Sequence, residues 1–338
     1  MQCAHSILCA LQSSSYSCVC FFGKVLQAKL EWKRCVNLPT EMSEGQAILI
    51  GDKVYYGGGV GTNSHSIYSV YRYDPSQDNW TTLPTLPVWY YSLGQINDKL
   101  VAVGGVKDKL FRRSHEVYLY DEKSQYWSKT TSGDCKPTAR DCMAVLSLPS
   151  ALIAAGGEVT LRIATDMVEI FKVDTSQWCK TDPLPVTCCS MSMAAIGNTC
   201  YALGGYNHPL NLNQALYASV DDLLGNAVPA NQTIHNGSSN TQSAWKTLPN
   251  TPTYGPAAAV LAGNLLAIGG YQTSQEKSAA KKEVYMYSPS TNSWIYISDL
   301  PAPRSDCAVA ALSSTEMLVI GGWSADGRTK TVYKGKLR

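Results

Sequence analysis

The chain has 338 residues, a formal net charge of +2 and only 16% charged residues. That balance offers no electrostatic footprint for DNA, RNA or an anionic membrane surface. No apolar run approaches the roughly 20 residues that span a bilayer. By length alone the chain would suit two or three ordinary domains, but it proves to be written in repeats.

Residues 1–23 stand apart. Ile7-Leu11 and Cys18-Phe22 are apolar, but a Ser-rich break divides them and no Lys or Arg precedes them, so they make a poor signal peptide. They read as a tail or as the remnant of a longer chain. The first repeat-like residue is Trp32, within Val25-Trp32. From there a paired glycine recurs at Gly58-Gly59, Gly104-Gly105, Gly156-Gly157, Gly204-Gly205, Gly269-Gly270 and Gly321-Gly322, spaced by 46, 52, 48, 65 and 52 residues. An aromatic with Trp seven places later recurs as Tyr73/Trp80, Tyr120/Trp127, Phe171/Trp178 and Tyr287/Trp294; in the fourth unit the pair is Tyr217/Trp245.

Each unit reads as four strands. An alternating run such as Ala257-Ala262 comes first, and an apolar run ending in the glycines comes second. The third strand carries the Tyr and the fourth the Trp. Gly51-Asp52, Asn97-Asp98, Gly197-Asn198 and Gly263-Asn264 suit tight turns between the first two strands. The glycine pairs are expected to let the chain turn and to let the outer aromatics pack closely. One such sheet cannot bury both faces alone, so the units are expected to stack radially. They span about 45–84, 90–131, 141–181, 190–248, 256–297 and 306–336.

Val220-Ser243 interrupts the fourth unit. It is Asn/Ser/Gln-rich towards its end, with a short helical turn predicted at Asp221-Leu224. It reads as an exposed excursion, either a partner-binding flap or a tolerated insertion. The sixth unit stops after Tyr333 with no Trp of its own, whereas Trp32 lies 26 residues before Gly58, in rhythm with the rest. The N-terminal strand is therefore expected to pair with Thr331-Lys336 and close a ring of six blades.

Gly-Gly, then Tyr, then Trp at +7, repeated at about fifty residues over positions 26–338, resembles the Kelch repeat. The resemblance implies an all-β, six-bladed Kelch-type β-propeller closed by its N-terminal strand. It further implies a protein-interaction module that binds an extended peptide segment around the central channel. Phe171 in place of Tyr, the fourth-unit insertion and the short sixth unit depart from the pattern.

The segments after each Trp and after each glycine pair are expected on one face of the ring. After the glycines these are Asn63, Lys107, Glu158, Tyr206, Tyr271 and Trp323; leading into the inner strands they are Glu44, Tyr90, Tyr91, Arg140, Tyr254 and Arg304. Tyr, Trp and Arg are the types enriched at interaction hot spots. Arg140 and Arg304 point to an acidic or extended peptide partner, or else they brace loops through Asp141 and Asp306. On the first alternative, replacing both by Ala abolishes binding and leaves the melting temperature unchanged.

Some Kelch-type propellers are enzymes. The five histidines (5, 65, 115, 208 and 235) are scattered and lack copper-ligand spacing. A sugar-active alternative of the mutarotase kind would use Glu158 with Arg162 and Arg140. The expectation is a non-enzymatic adaptor, monomeric, with no cofactor and no metal. Twelve cysteines without a CxxC, many inside predicted strands, read as buried thiols of a cytoplasmic protein. Asn79, Asn231 and Asn236 match the glycosylation pattern, the first overlapping the repeat Trp80.

Overall fold

Tight turns set the hairpins. Between the first and second strands, Ile50 pairs with Lys53 across Gly51-Asp52, and Ile96 pairs with Lys99 across Asn97-Asp98, whose φ angles are 49° and 59°. Such left-handed pairs match the twist of the flanking strands. In the fifth unit Leu261 pairs with Asn264, so the turn is Ala262-Gly263, one residue earlier than Gly263-Asn264. The Asn264 side chain accounts for the shift, because it donates back to the Ala262 carbonyl at 2.9 Å. In the outer hairpins Asp78, Gln125, Ser176 and Asn292 take positive φ two residues before each Trp. That turn places Tyr73 opposite Trp80, Tyr120 opposite Trp127, Phe171 opposite Trp178 and Tyr287 opposite Trp294.

The computed structural model describes residues 29–62, 66–130, 136–229, 243–275 and 278–338. Six main antiparallel sheets form a six-bladed β-propeller, five of the blades running outward in chain order from an inner to an outer strand. Blade three is typical: Ala144–Ser147, Ala151–Ala155, Val168–Lys172 and Gln177–Thr181. Six apolar clusters fill the six seams between blades among the described residues. The seam between blades six and one, for example, packs Ala308, Leu318 and Ile320 against Val54, Tyr56 and Tyr71. No helix among the described residues is long and apolar enough to cross a membrane.

Blade six is completed from the other end of the chain. Leu30–Arg34 pairs with Val332–Leu337, placing Trp32 opposite Gly335 and Arg34 opposite Tyr333. The closing strand lies a few residues later than Val25-Trp32, and its Leu30 is buried in the seam with blade five.

The glycine pairs do something other than admit aromatics. A Cβ on Gly269 would lie 2.3 Å from the carbonyl oxygen of Arg304 in the next blade, and one on Gly270 would lie 2.5 Å from that of Tyr254 in its own blade. Both glycines also hold φ of 60° and 97°, so their conformation and their space each exclude a side chain. The pair is where two backbones cross, and Gly270 N–H donates to the Arg304 carbonyl at 2.8 Å.

The start of the fourth-unit insertion is a clamp rather than an exposed excursion. The helix Val220–Gly225 is capped by Ser219 and buries Leu223 fully. Thr181 Oγ1 and Lys172 Nζ of blade three donate to the carbonyls of Leu223 and Leu224 at 2.6 and 3.3 Å. Val228–Pro229 then adds a fifth strand to blade three. Its apolar Val220 and Leu223 drive this docking, because an isolated turn of helix would not hold. Residues 1–28 and 230–242 lie outside the described residues, and with them the tail and the Asn231 and Asn236 motifs.

Candidate functional site

Six residues, one per blade, turn the chain into its inner strand with left-handed φ between 48° and 62°: Glu44, Tyr90, Cys142, Ser190, Gly255 and Asp306. Five of them are not glycine, a conformation that costs non-Gly residues roughly 1–2 kcal/mol each. Because it recurs in every blade, the strain is part of the architecture. The residue before each pairs with the residue that follows the glycine pair: Ser43 with Val60, Trp89 with Val106, Asp141 with Glu158, Cys189 with Tyr206, Tyr254 with Tyr271 and Ser305 with Trp323. This double ring frames the mouth of the central channel. The channel encloses about 320 Å³, and Glu44, Cys142, Ser190, Gly255 and Asp306 all line it.

The ionisable groups of the mouth form two clusters. In the first, Glu44 N–H donates to the Asp306 carbonyl at 2.9 Å, which sets the two carboxylates side by side. Tyr271 Oη donates to Asp306, Tyr90 Oη approaches Glu44 at 3.4 Å, and a guanidinium nitrogen of Arg328 lies 3.6 Å from Glu44. Burial, and then repulsion from Glu44, push the Asp306 carboxyl up to about 7. Burial likewise raises Glu44, although its side chain remains 31% exposed to the channel. In the second cluster Arg113, only 4% exposed, lies 3.1 Å from Asp141 and 3.0 Å from Glu158. Burial pushes Asp141 up to about 7; Arg113 opposes that rise and Glu158 adds to it.

Arg113 and Arg328 occupy the same place in the repeat, since Val106 bridges to Arg113 as Trp323 does to Arg328. Each reaches into the following blade. Arg328 lies 4.8 Å over the Trp323 ring and donates to Ser43 at 2.9 Å. Sequence reasoning missed both. The signal was the count from the glycine pair, which the variable loop lengths disguise.

Arg140 and Arg304 require correction as partner contacts. Arg140 is fully buried: it donates to the carbonyls of Gly156, Met167 and Ala154 and pairs with Glu169 at 2.8 Å. Arg304 is 3% exposed, bonds the Pro303 carbonyl and Thr331, and lies 5.5 Å over Tyr333. Both precede the bridging residue, a position whose carbonyl accepts from a glycine of the preceding blade. The side chain therefore runs into its own blade. Neither braces a loop through Asp141 or Asp306.

Of the other candidates, Trp323 is 38% exposed and Lys107 is exposed. Tyr90, Tyr206, Glu158 and the bridged pair Tyr254 and Tyr271 are half-buried at the mouth; Tyr206 Oη lies 2.9 Å from His208 Nδ1. Tyr91 is buried, donating to the Ser69 carbonyl, and Asn63 lies outside the described residues. The sugar-site trio does not assemble. Arg162 meets Glu158 through its backbone N–H, Arg140 is held by Glu169, and Arg113 takes the carboxylate instead.

A family profile described as the KLHDC2/KLHL20/DRC7 Kelch-repeats domain matches residues 91–322, and one described as the Kelch motif matches residues 47–87. The chain is a Kelch-repeat protein. Human Kelch repeat and BTB domain-containing protein 12 is 23% identical over 306 residues, covering 81% of this chain and 47% of that protein. Mouse Kelch-like protein 36 is 24% identical over 285 residues, covering 80% and 42%. This Kelch chain thus spans about half the length of the curated relatives it matches. A solved structure described as "Structure of YjhT" superposes with a TM-score of 0.68 at 16% identity, over 89% of this chain and 98% of that one. That likeness shows the Kelch propeller fold alone.

Proposed function

We propose that this Kelch propeller is a non-enzymatic protein-interaction module that holds a segment of a partner on the loop face around the channel mouth. One observation carries the reading. Among the described residues eleven large apolar side chains are exposed, and seven lie in the connections between second and third strands, among them Leu110, Phe111, Leu161, Ile163, Leu210 and Trp323. These connections all leave the same end of the blades, so the exposed apolar surface gathers on one face. Such concentration marks an interaction site rather than ordinary scatter. The Kelch-like relatives are consistent with this reading.

Six of the seven described cysteines are buried as small apolar side chains, in keeping with a reducing compartment such as the cytoplasm. The reading is tested by affinity capture from the source cell with wild type and with a Leu110→Glu/Ile163→Glu variant. Partners recovered by the wild type should be lost by the variant while its melting temperature holds. Recovery of the same partners by both would refute the face.

A further inference from the structure

Resting on that reading, we propose that the partner segment is basic: a Lys or Arg side chain enters the channel mouth beside Glu44 and Asp306, while apolar residues next to it lie on Leu110, Leu161 and Ile163. The apolar rim is one-sided. Leu110 is 79% exposed, Leu161 58% and Ile163 55%, all on the neighbouring loops of blades two and three, and Leu210 on blade four continues the arc at 48%. Arg113 ties the first two loops together through Glu158, so the rim is held in place before anything binds.

Charge selects the occupant. Beside the channel the mouth holds four carboxyl groups, from Glu44, Asp141, Glu158 and Asp306, against two guanidiniums, with Lys107, Lys109 and Arg162 exposed on the surrounding loops. Arg113 is spent on Asp141 and Glu158. Arg328 is engaged by Ser43 and by the Trp323 ring, and approaches Glu44 only at 3.6 Å. Among the described residues Asp306 has no ion-pair partner. The residues across the mouth, Cys142, Ser190 and Gly255, bring no countercharge. An acidic segment would meet like charge here, whereas a long cationic side chain could place its stem on the apolar rim and its head group at the carboxylates. The two guanidiniums that would have favoured an acidic segment, Arg140 and Arg304, are out of reach.

The test selects random short peptides, displayed on phage, against the folded propeller and measures the enriched sequences as free peptides by fluorescence anisotropy. Enriched peptides should carry Lys or Arg beside apolar residues. Glu44→Gln/Asp306→Asn and Leu161→Ser/Ile163→Ser should each weaken them about tenfold, with melting temperatures recorded for both variants. If the first double variant does not fold, Glu44→Gln alone gives the same readout, since that side chain reaches the channel water. Enrichment of acidic or neutral peptides, or binding indifferent to the carboxylate variants, overturns the proposal. If the rim variant still weakens binding in that case, the interaction face stands and only the basic chemistry fails. If neither variant matters, or no peptide is enriched, the face falls with it.

Discussion

The indole Nε1 of Trp294 donates to the carbonyl of Pro249 at 2.8 Å, across the boundary between blades five and four. Trp127 does the same to Pro84 at 2.9 Å and Trp245 to Asp182 at 3.1 Å. The repeat Trp thus staples its blade to the end of the preceding one, besides packing on the Tyr opposite, at 5.5 Å between rings for Tyr287 and Trp294. Trp32 differs, since its buried Nε1 has no hydrogen-bond partner among the described residues.

Trp294→Phe should therefore cost roughly 1–3 kcal/mol, because it leaves a carbonyl without its donor and loses ring area. Trp32→Phe should cost less, as it removes a donor that is unsatisfied already. Chemical denaturation of the two variants decides the ordering, and an equal loss would contradict the staple.

The Arg140–Glu169 pair is buried on both sides, with side chains 0% and 1% exposed. Removing one partner strands the other charge without solvent, a loss of about 3–5 kcal/mol. Arg140→Ala should lower the melting temperature steeply, contrary to what a surface contact would do. Thr138 also bonds Glu169 through its N–H and hydroxyl, so Glu169→Ala should be equally severe.

Asp306 gives stability a pH dependence of definite sign. Its folded pKa, about 7, exceeds the unfolded value near 3.8, so the folded protein binds the extra proton between them. Its contribution is most favourable below the unfolded value and is lost as pH rises towards 7. Asp306→Asn cannot ionise. Its melting temperature relative to wild type should therefore rise between pH 5 and pH 8; a flat difference would show that Asp306 titrates normally.

Ring closure rests on five residues. Cutting the chain after Arg34 would remove Leu30 from the seam with blade five and expose the Val332–Leu337 edge. Unpaired edges invite association. The shortened protein should melt lower and run as aggregates on size exclusion, whereas a stable monomer would mean that blade six holds with three strands.

The blade number, the strand order within each blade and the closure by Trp32 were legible in the chain itself. Those features rest on local rules: alternation along a strand, two-residue turns, and a Tyr and Trp opposed by a hairpin of constant length. The fate of the loop-face residues was not legible. Arg140 and Arg113 belong to neighbouring loops of similar composition, yet one is sealed inside blade three by Glu169 and the other clamps two carboxylates at the channel mouth. Where a side chain goes at those positions depends on how each blade docks on the next, through contacts such as Gly270 with Arg304. A linear pattern carries the period of a sheet but not the offset between two sheets. Only the closed ring, by bringing Glu44 from near one end of the chain against Asp306 from near the other, decided what the mouth of the channel presents.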